Sequence, residues 1–312
     1  MQDLIIIGAG PAGLNAALYA ARYNLKTKII AKNSGGQIGE AFLVDNWLGQ
    51  KGMTGASLAN SWLDQIKEKG VEIINDEVAS FKKENNGFNI QTLSKNQIQS
   101  KAILLAIGLS RRKLKIPGEE ELFGKGVAYC ATCDAPMYKD KTVVIVGGGN
   151  AGAGSALLLA KFAKKIYLMT DELFLRADPS WIAKIEKNKK IVVLLGNVLK
   201  EIRGKNFVEE VVLEKPFQNS NKIKTDGVFI EIGFAPNSHW LKTNGIKTDE
   251  KGFIKVDDKI QTNIKGVWAA GDCTNKSQLK QAIVAAAQGA EAAYYIYEYL
   301  TNSKDNEKTK EN

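Results

Sequence analysis

Residues 3–32 read "DLIIIGAGPAGLNAALYAARYNLKTKIIAK", and this stretch decides the fold. Its "LIII" is apolar at consecutive positions, the pattern of a strand covered on both faces in a parallel sheet. Gly8, Gly10 and Gly13 follow at G-x-G-x-x-G spacing, then a helix rich in Ala and Leu, then a second strand, "KTKIIA". Glycines so placed let the backbone turn tightly and approach a pyrophosphate, whose charge lies at the helix N-terminus. The spacing alone is weak evidence. Between a strand and a helix it marks the phosphate-binding turn of a βαβ unit.

The pattern returns at 141–170, "KTVVIVGGGNAGAGSALLLAKFAKKIYLMT", with Gly147, Gly149 and Gly152 at the turn. Two such units imply two dinucleotide-type domains, whether or not both hold a nucleotide. Shorter alternating strands follow each unit, at 72–108 and at 190–233. The chain then returns through "GVWAAGDCTNKSQLKQAIVAAAQGAEAA" (266–293), a strand feeding a helix. The fold read from this is α/β, with two Rossmann-like domains, the second inserted into the first. The first domain takes 1–113 and 242–312, and the second takes 114–241. "LKIPGEE" and "GFAPNSH" are the links, punctuated by Pro117 and Pro236.

The 312 residues suffice for two ordinary domains, and 44% hydrophobic with 25% charged residues is ordinary for a globular protein. The formal charge of +9 comes from scattered lysines. The tightest group, Lys184, Lys187, Lys189 and Lys190, lacks interleaved aromatics. It reads as a solvated face or a dock for an acidic partner before it reads as a nucleic-acid site. No run reaches the roughly 18 apolar residues of a membrane span. The sequence enters a strand at once with no basic leader, and two of its three cysteines share one C-x-x-C. The expectation is a reducing cytoplasm, with no nucleic-acid or membrane partner. The polar stretch from Asn302, "NSKDNEKTKEN", is expected to fray.

"YCATCDAP" places Cys130 and Cys133 just before the second glycine turn. Two thiols at this spacing can close a short disulfide ring and exchange it with another disulfide. A structural zinc would need a second ligand pair, yet only His239 and Cys273 remain. No metal is expected, and His239 reads as a surface or packed residue. Asp134 is either a solvated turn residue or the acid that protonates a leaving thiolate.

"GAGPAG" (8–13), "GGQ" (35–37), "VDNWLG" (44–49), "CATCD" (130–134), "GGGNAG" (147–152), "AAGDC" (269–273) and "KQA" (280–282) occur together and in order. The set resembles the low-molecular-weight thioredoxin reductase family over nearly the whole chain. The resemblance implies a cytoplasmic, homodimeric flavoprotein with FAD in the first domain and a dithiol that relays electrons to thioredoxin or a similar protein. Gly8, Gly10, Pro11, Ala12 and Gly13 match the family's pyrophosphate loop. Gly36, Gln37, Asn46, Asp272, Gln281 and Ala282 match its flavin-contacting positions, with Lys280 where the family often has Arg. By the same carry-over Cys133 faces the flavin, Cys130 attacks the partner's disulfide, and the two domains swing. Cys273, beside Asp272, reads as a small packing residue.

The source of electrons is where the sequence departs from the family. Members that use NADPH carry a His-Arg-Arg run ahead of "RA". Aligning that pair with Arg176 and Ala177 puts Thr170, Asp171 and Glu172 on the cationic positions. The phosphate-binding charge is reversed, and one charge pair 5 Å apart is worth roughly 3 kcal/mol at an effective dielectric near 20. Gly154 and Ser155 also replace the family's acidic pair beyond the turn. A pyridine nucleotide is therefore doubtful. Ferredoxin or a reduced deazaflavin is favoured as donor, with NADH next because Asp171 stands where an acid can hold a ribose 2′-hydroxyl. The alternative from another class is a flavin-dependent dithiol oxidase that passes electrons from the same C-x-x-C to oxygen. A non-catalytic flavin module stands behind it, and the dithiol argues against a ferredoxin–NADP reductase look-alike.

Overall fold

The computed structural model describes residues 1–308 apart from 42, 45 and 277. Asp45 of "VDNWLG" thus lies outside the described residues. The chain divides into two compact units, residues 1–110 with 235–312, and residues 111–234. The second unit is inserted in the first, but the division falls at 111 and 234 rather than at 114 and 241. The seven residues after Phe234 fold with the first unit because Leu241 is fully buried beside Val78, Phe81 and Phe88. Trp240 adds an indole N–H donated to the carbonyls of Val78 and Ala79 at 2.8 and 3.0 Å.

In the first unit, strands Glu72–Ile74, Thr27–Ser34, Gln2–Ala9 and Gln97–Leu105 lie side by side in that order and run parallel. Val267–Ala269 pairs with the end of Gln97–Leu105, and a hairpin, Val78–Glu84 with Gly87–Thr92, extends its beginning antiparallel. Leu4, Ile5 and Ile6 are fully buried, as an apolar run covered on both faces requires. Each such side chain contributes about 2 kcal/mol of burial. On one face the alanine-rich helix Pro11–Arg22 packs against the long helix Ala282–Lys308. The two approach closely because Gly289 lies on the backbone of Ala12, where a Cβ would stand 2.1 Å from the Ala12 carbonyl oxygen. That long helix continues through Lys308, past Asn302 where the sequence suggests a frayed end; residues 309–312 lie outside the described residues.

The second unit repeats the plan. Ile191–Leu194, Lys165–Met169, Thr142–Val146, Gly227–Ile230 and Val127–Ala128 form an all-parallel sheet in that order. Helix Asn150–Leu159 follows its glycine turn, and an antiparallel sheet, Leu199–Arg203, Glu210–Phe217 and Ser220–Lys224, stands apart. In both units the strand that leads into the glycine turn, Gln2–Ala9 or Thr142–Val146, lies centrally, so each turn sits where the chain order reverses across the sheet. Open α/β sheets bind ligands at that crevice. Among the described residues, no helix is long and apolar enough to cross a membrane.

Candidate redox centre and dinucleotide cradles

The first cradle is built from backbone. Gly8 has φ +110°, and a Cβ there would lie 2.2 Å from the carbonyl oxygen of Ala106. Gly13 meets the Gly8 carbonyl at 1.9 Å in the same sense, which seats the helix against the strand. Gly10 caps the helix, Pro11 opens it and Ala12 is buried at its first turn. Gly36, at φ +62°, brings the next loop so close that a Cβ would stand 2.8 Å from the Cα of Gly10. A Cβ on Gly10 would meet nothing nearer than the Gly36 Cα at 4.0 Å, so no side chain crowds that position.

Polar groups converge on the same unit. Gln37 Nε2 donates to the Leu109 carbonyl at 2.7 Å, and Asn46 Nδ2 donates to Gln281 Oε1 at 2.9 Å. Ala282 opens the long helix directly after Gln281. Asp272 has a buried Oδ1 without a hydrogen-bond partner among the described residues. Burial pushes its carboxyl up, and Lys280 pulls it partly back. Lys280 itself turns its ammonium to the backbone, donating to the carbonyls of Asp272 at 2.7 Å and Thr274 at 3.3 Å, over the ring of Phe253. Burial pushes the Lys280 ammonium down, with Asp272 opposing. Its visible work is to brace the Asp272 loop. Cys273 is fully buried, and burial pushes its thiol up to about 12, so it is inert packing.

The second cradle has the same backbone and different side chains. Gly147 lies on the carbonyl of Glu231, with a Cβ distance of 2.1 Å, as Gly8 lies on Ala106. Glu231 Oε1 accepts from Ser155 Oγ at 2.7 Å, and its Oε2 lies 3.7 Å from the Arg111 guanidinium. At the end of the second strand, the Glu172 amide donates to Thr170 Oγ1, and the Arg176 guanidinium is ion-paired to the Glu172 carboxylate. The Arg176 amide binds the Gly148 carbonyl at 2.8 Å, and the Asp178 amide binds Asn150 Oδ1 at 2.7 Å. Trp181 fills the space beside Gly154, where a Cβ would meet its ring at 2.8 Å.

Cys130 and Cys133 form a disulfide with Cα atoms 5.4 Å apart. Strand Val127–Ala128 delivers Cys130 to the cap position of the short helix Ala131–Asp134. There the Cys133 amide donates to Cys130 Sγ at 3.2 Å. Cys130 is half-buried and Cys133 exposed. Asp134 closes the helix, half-buried. His239 is exposed and belongs to the other unit.

Sequence reasoning passed over Glu119, which is 1% exposed. Its carboxylate accepts from the Leu114 and Lys115 amides and from the Tyr129 hydroxyl at 2.6 Å, holding the residue before Cys130. Burial, with the Glu119 carboxylate next, pushes the Tyr129 hydroxyl pKa up. Glu231 was passed over as well. Neither carries a local signal: each shows its role only through its partners.

Two dinucleotide cradles and a C-x-x-C disulfide on the second unit define a flavoprotein disulfide oxidoreductase. The profile of the pyridine nucleotide-disulphide oxidoreductase family matches residues 2–289, and the chain belongs to that family. It is 38% identical over 309 residues to a thioredoxin reductase of Peptoclostridium litorale, covering 96% of this chain and 97% of the relative. It is 34% identical over 299 residues to an NADH dehydrogenase of Ferdinandcohnia aciditolerans, of which it spans 57%. Among solved structures, Lactococcus lactis thioredoxin reductase in its FR conformation superposes with TM-score 0.91 at 32% identity, covering 97% of this chain and 100% of that one. A ferredoxin-flavin thioredoxin reductase from Clostridium acetobutylicum gives TM-score 0.53 at 32% identity, with 97% and 98% covered. The chain is thus a flavin-dependent, thioredoxin-reductase-like disulfide oxidoreductase. Its family implies FAD. The residues fit that group: no side chain crowds Gly10, which leaves room for a pyrophosphate, and the orphaned Asp272 Oδ1 awaits a hydroxyl donor.

Proposed function

We propose that this protein reduces thioredoxin, or a similar protein disulfide, with electrons that do not come from NADPH. The acceptor half of the reading rests on the Cys130–Cys133 pair and on relatives that are thioredoxin reductases. Gly8, Gly10, Pro11, Ala12 and Gly13 would hold the FAD pyrophosphate. Gly36, Gln37, Asn46, Asp272, Gln281 and Ala282 would flank the rest, with Lys280 bracing Asp272. FAD, when bound, supplies the two-electron carrier between donor and disulfide.

After reduction, the Cys130 thiolate attacks one sulfur of the acceptor disulfide. A bond from Cys130 Sγ forms, the acceptor S–S bond breaks, and the leaving thiolate takes the proton that the Asp134 carboxylate drew from the Cys130 thiol. The Cys133 thiolate then attacks Cys130 Sγ, restoring the enzyme disulfide and releasing the second acceptor thiolate, which is protonated from solvent. Two electrons and two protons have reached the acceptor.

One observation carries the donor half. The cation of the adenosine-side loop, Arg176, is already neutralised by Glu172, and Asp171 stands exposed beside it. A 2′-phosphate would meet net negative charge there. A ferredoxin-type protein or a reduced deazaflavin is the favoured donor, with NADH next. Anaerobic stopped-flow bleaching of the flavin band with NADPH, NADH and reduced ferredoxin tests this. Fast reduction by ferredoxin with sluggish NADPH is expected, and rapid reduction by micromolar NADPH would refute it.

A further inference from the structure

Eight lysines of the second unit gather at the edge where its parallel strands begin. Lys141 and Lys190 immediately precede strands Thr142–Val146 and Ile191–Leu194, and Lys165 opens the strand between them. Their backbones are hydrogen-bonded side by side: the Lys164 amide to the Lys141 carbonyl at 2.8 Å, and the Ile166 amide to the Lys190 carbonyl at 2.9 Å. Lys139 and Lys164 flank these, while Lys184, Lys187 and Lys189 come from helix Pro179–Glu186 and the turn after it. All but Lys165 are exposed.

These lysines are left without acids. Among the described residues, none of the eight has a carboxylate within ion-pair distance, whereas Lys113, Arg176, Lys200, Arg203 and Lys222 of the same unit are all paired. Within the lysine-bearing segments only Asp140 and Glu186 oppose them, and nearby Asp226 is held by the Thr142 amide. Like charges crowded on one edge repel, and an oppositely charged partner relieves that repulsion.

The kind of partner follows from what else the edge offers. Tyr138, Tyr167 and Trp181 already lie beneath Lys141, Lys165 and Lys184, so their rings are not free to stack on bases. Beside the lysine-bearing stretches a single exposed large apolar side chain, Met137, is too little to enter a lipid surface. An acidic protein face fits. From the disulfide, the helix Ala131–Asp134 and the tight turn Ala135–Tyr138 lead directly to Lys139. Met137, 69% exposed, lies on the way. Six residues at about 2 Å each put Lys139 within about 12 Å of Cys133, less than the width of a small domain. An apolar centre with a charged rim is common interface anatomy.

We propose that this lysine edge, with Met137, docks the acidic flank of the disulfide-bearing acceptor, a small protein with carboxylates beside its redox disulfide. The proposal rests on the reading of the chain as a protein-disulfide reductase. The test uses the triple variant Lys139→Glu/Lys164→Glu/Lys189→Glu of the full FAD-loaded chain. Enzyme photoreduced without oxygen is mixed with an acidic bacterial thioredoxin or with neutral hydroxyethyl disulfide, and flavin reoxidation is followed. The wild-type rate with thioredoxin should fall with salt. The triple variant should be about ten-fold slower at low salt and nearly salt-independent, with hydroxyethyl disulfide unaffected. Binding of fluorescent oxidised thioredoxin, read by anisotropy, should weaken in parallel. If wild type passes electrons to no disulfide, the functional reading fails while anisotropy still decides the docking. Unchanged thioredoxin rate and anisotropy in the triple variant would overturn the proposal. So would loss of single-stranded DNA binding with thioredoxin untouched.

Discussion

The two glycine turns of this chain are nearly the same backbone. Gly8 lies on the carbonyl of Ala106 and Gly147 on that of Glu231; Gly13 meets Gly8 as Gly152 meets Gly147. The amides of Ala106 and Glu231 both donate to the end of the strand that leads into the turn, to Ile7 at 2.8 Å and to Val146 at 2.7 Å. The side chains part company. The first cradle is flanked by Ala106, Ala16 and Ala31, and its neighbouring loop arrives as Gly35–Gly36. The second has Glu231, Ser155 and Thr170 at the equivalent places, then Asp171 and Glu172. The backbone preserves a dinucleotide fold in both units, while the side chains around the two turns differ in polarity and charge. The second cradle has turned its polar groups on one another.

This difference can be sharpened by removing one unit's chemistry. Cys133→Ser abolishes the relay in the second unit and leaves the first cradle intact. Thioredoxin turnover should fall by about 1,000-fold or more, while the protein keeps its yellow FAD. Absorbance and a coupled thioredoxin assay report both. Cys130→Ser should be equally inactive; normal turnover in that variant would reverse the assigned roles.

The difference can also be broken by restoring charge. Asp171→Arg/Glu172→Arg frees Arg176 and makes the adenosine-side loop cationic. At roughly 3 kcal/mol per close charge pair, NADPH affinity should rise about 100-fold, measured by flavin bleaching against NADPH concentration. No gain would mean that Glu231 and the packing of Trp181 on Gly154, rather than the loop charges, close this cradle.

The smallest effect is in the first cradle. Burial raises the Asp272 carboxyl in the FAD-free protein, so the folded state holds that proton more tightly than the unfolded chain. Its stabilising contribution is complete below the ordinary carboxylate range and is lost as pH rises through the elevated folded value. FAD-free Asp272→Asn should therefore melt higher than wild type near neutral pH and no higher in acid, while binding FAD several-fold more weakly. Thermal melts of the stripped protein across pH decide it.

Much of this was legible in the sequence because it is local. A glycine turn between strand and helix, a C-x-x-C and an acidic pair at a strand end lie within short windows. What was hidden depends on distant partners. Gly289 interrupts an apolar run in the sequence, and only the fold shows it admitting the backbone of Ala12. Glu119 looks like one of three consecutive surface acids until Tyr129 and two amides are found around it. The second domain ends at Phe234 because Trp240 and Leu241 bury against the first unit's hairpin, which no linker composition announces.

The central proposal is that the first cradle holds FAD and the second does not take NADPH. Nucleotide content and binding measure this directly: FAD per chain after denaturing extraction, and NADPH affinity of the FAD-loaded protein by isothermal titration. The account predicts one FAD per chain and no NADPH binding below millimolar concentration. NADPH binding at one site per chain with a micromolar Kd would contradict it.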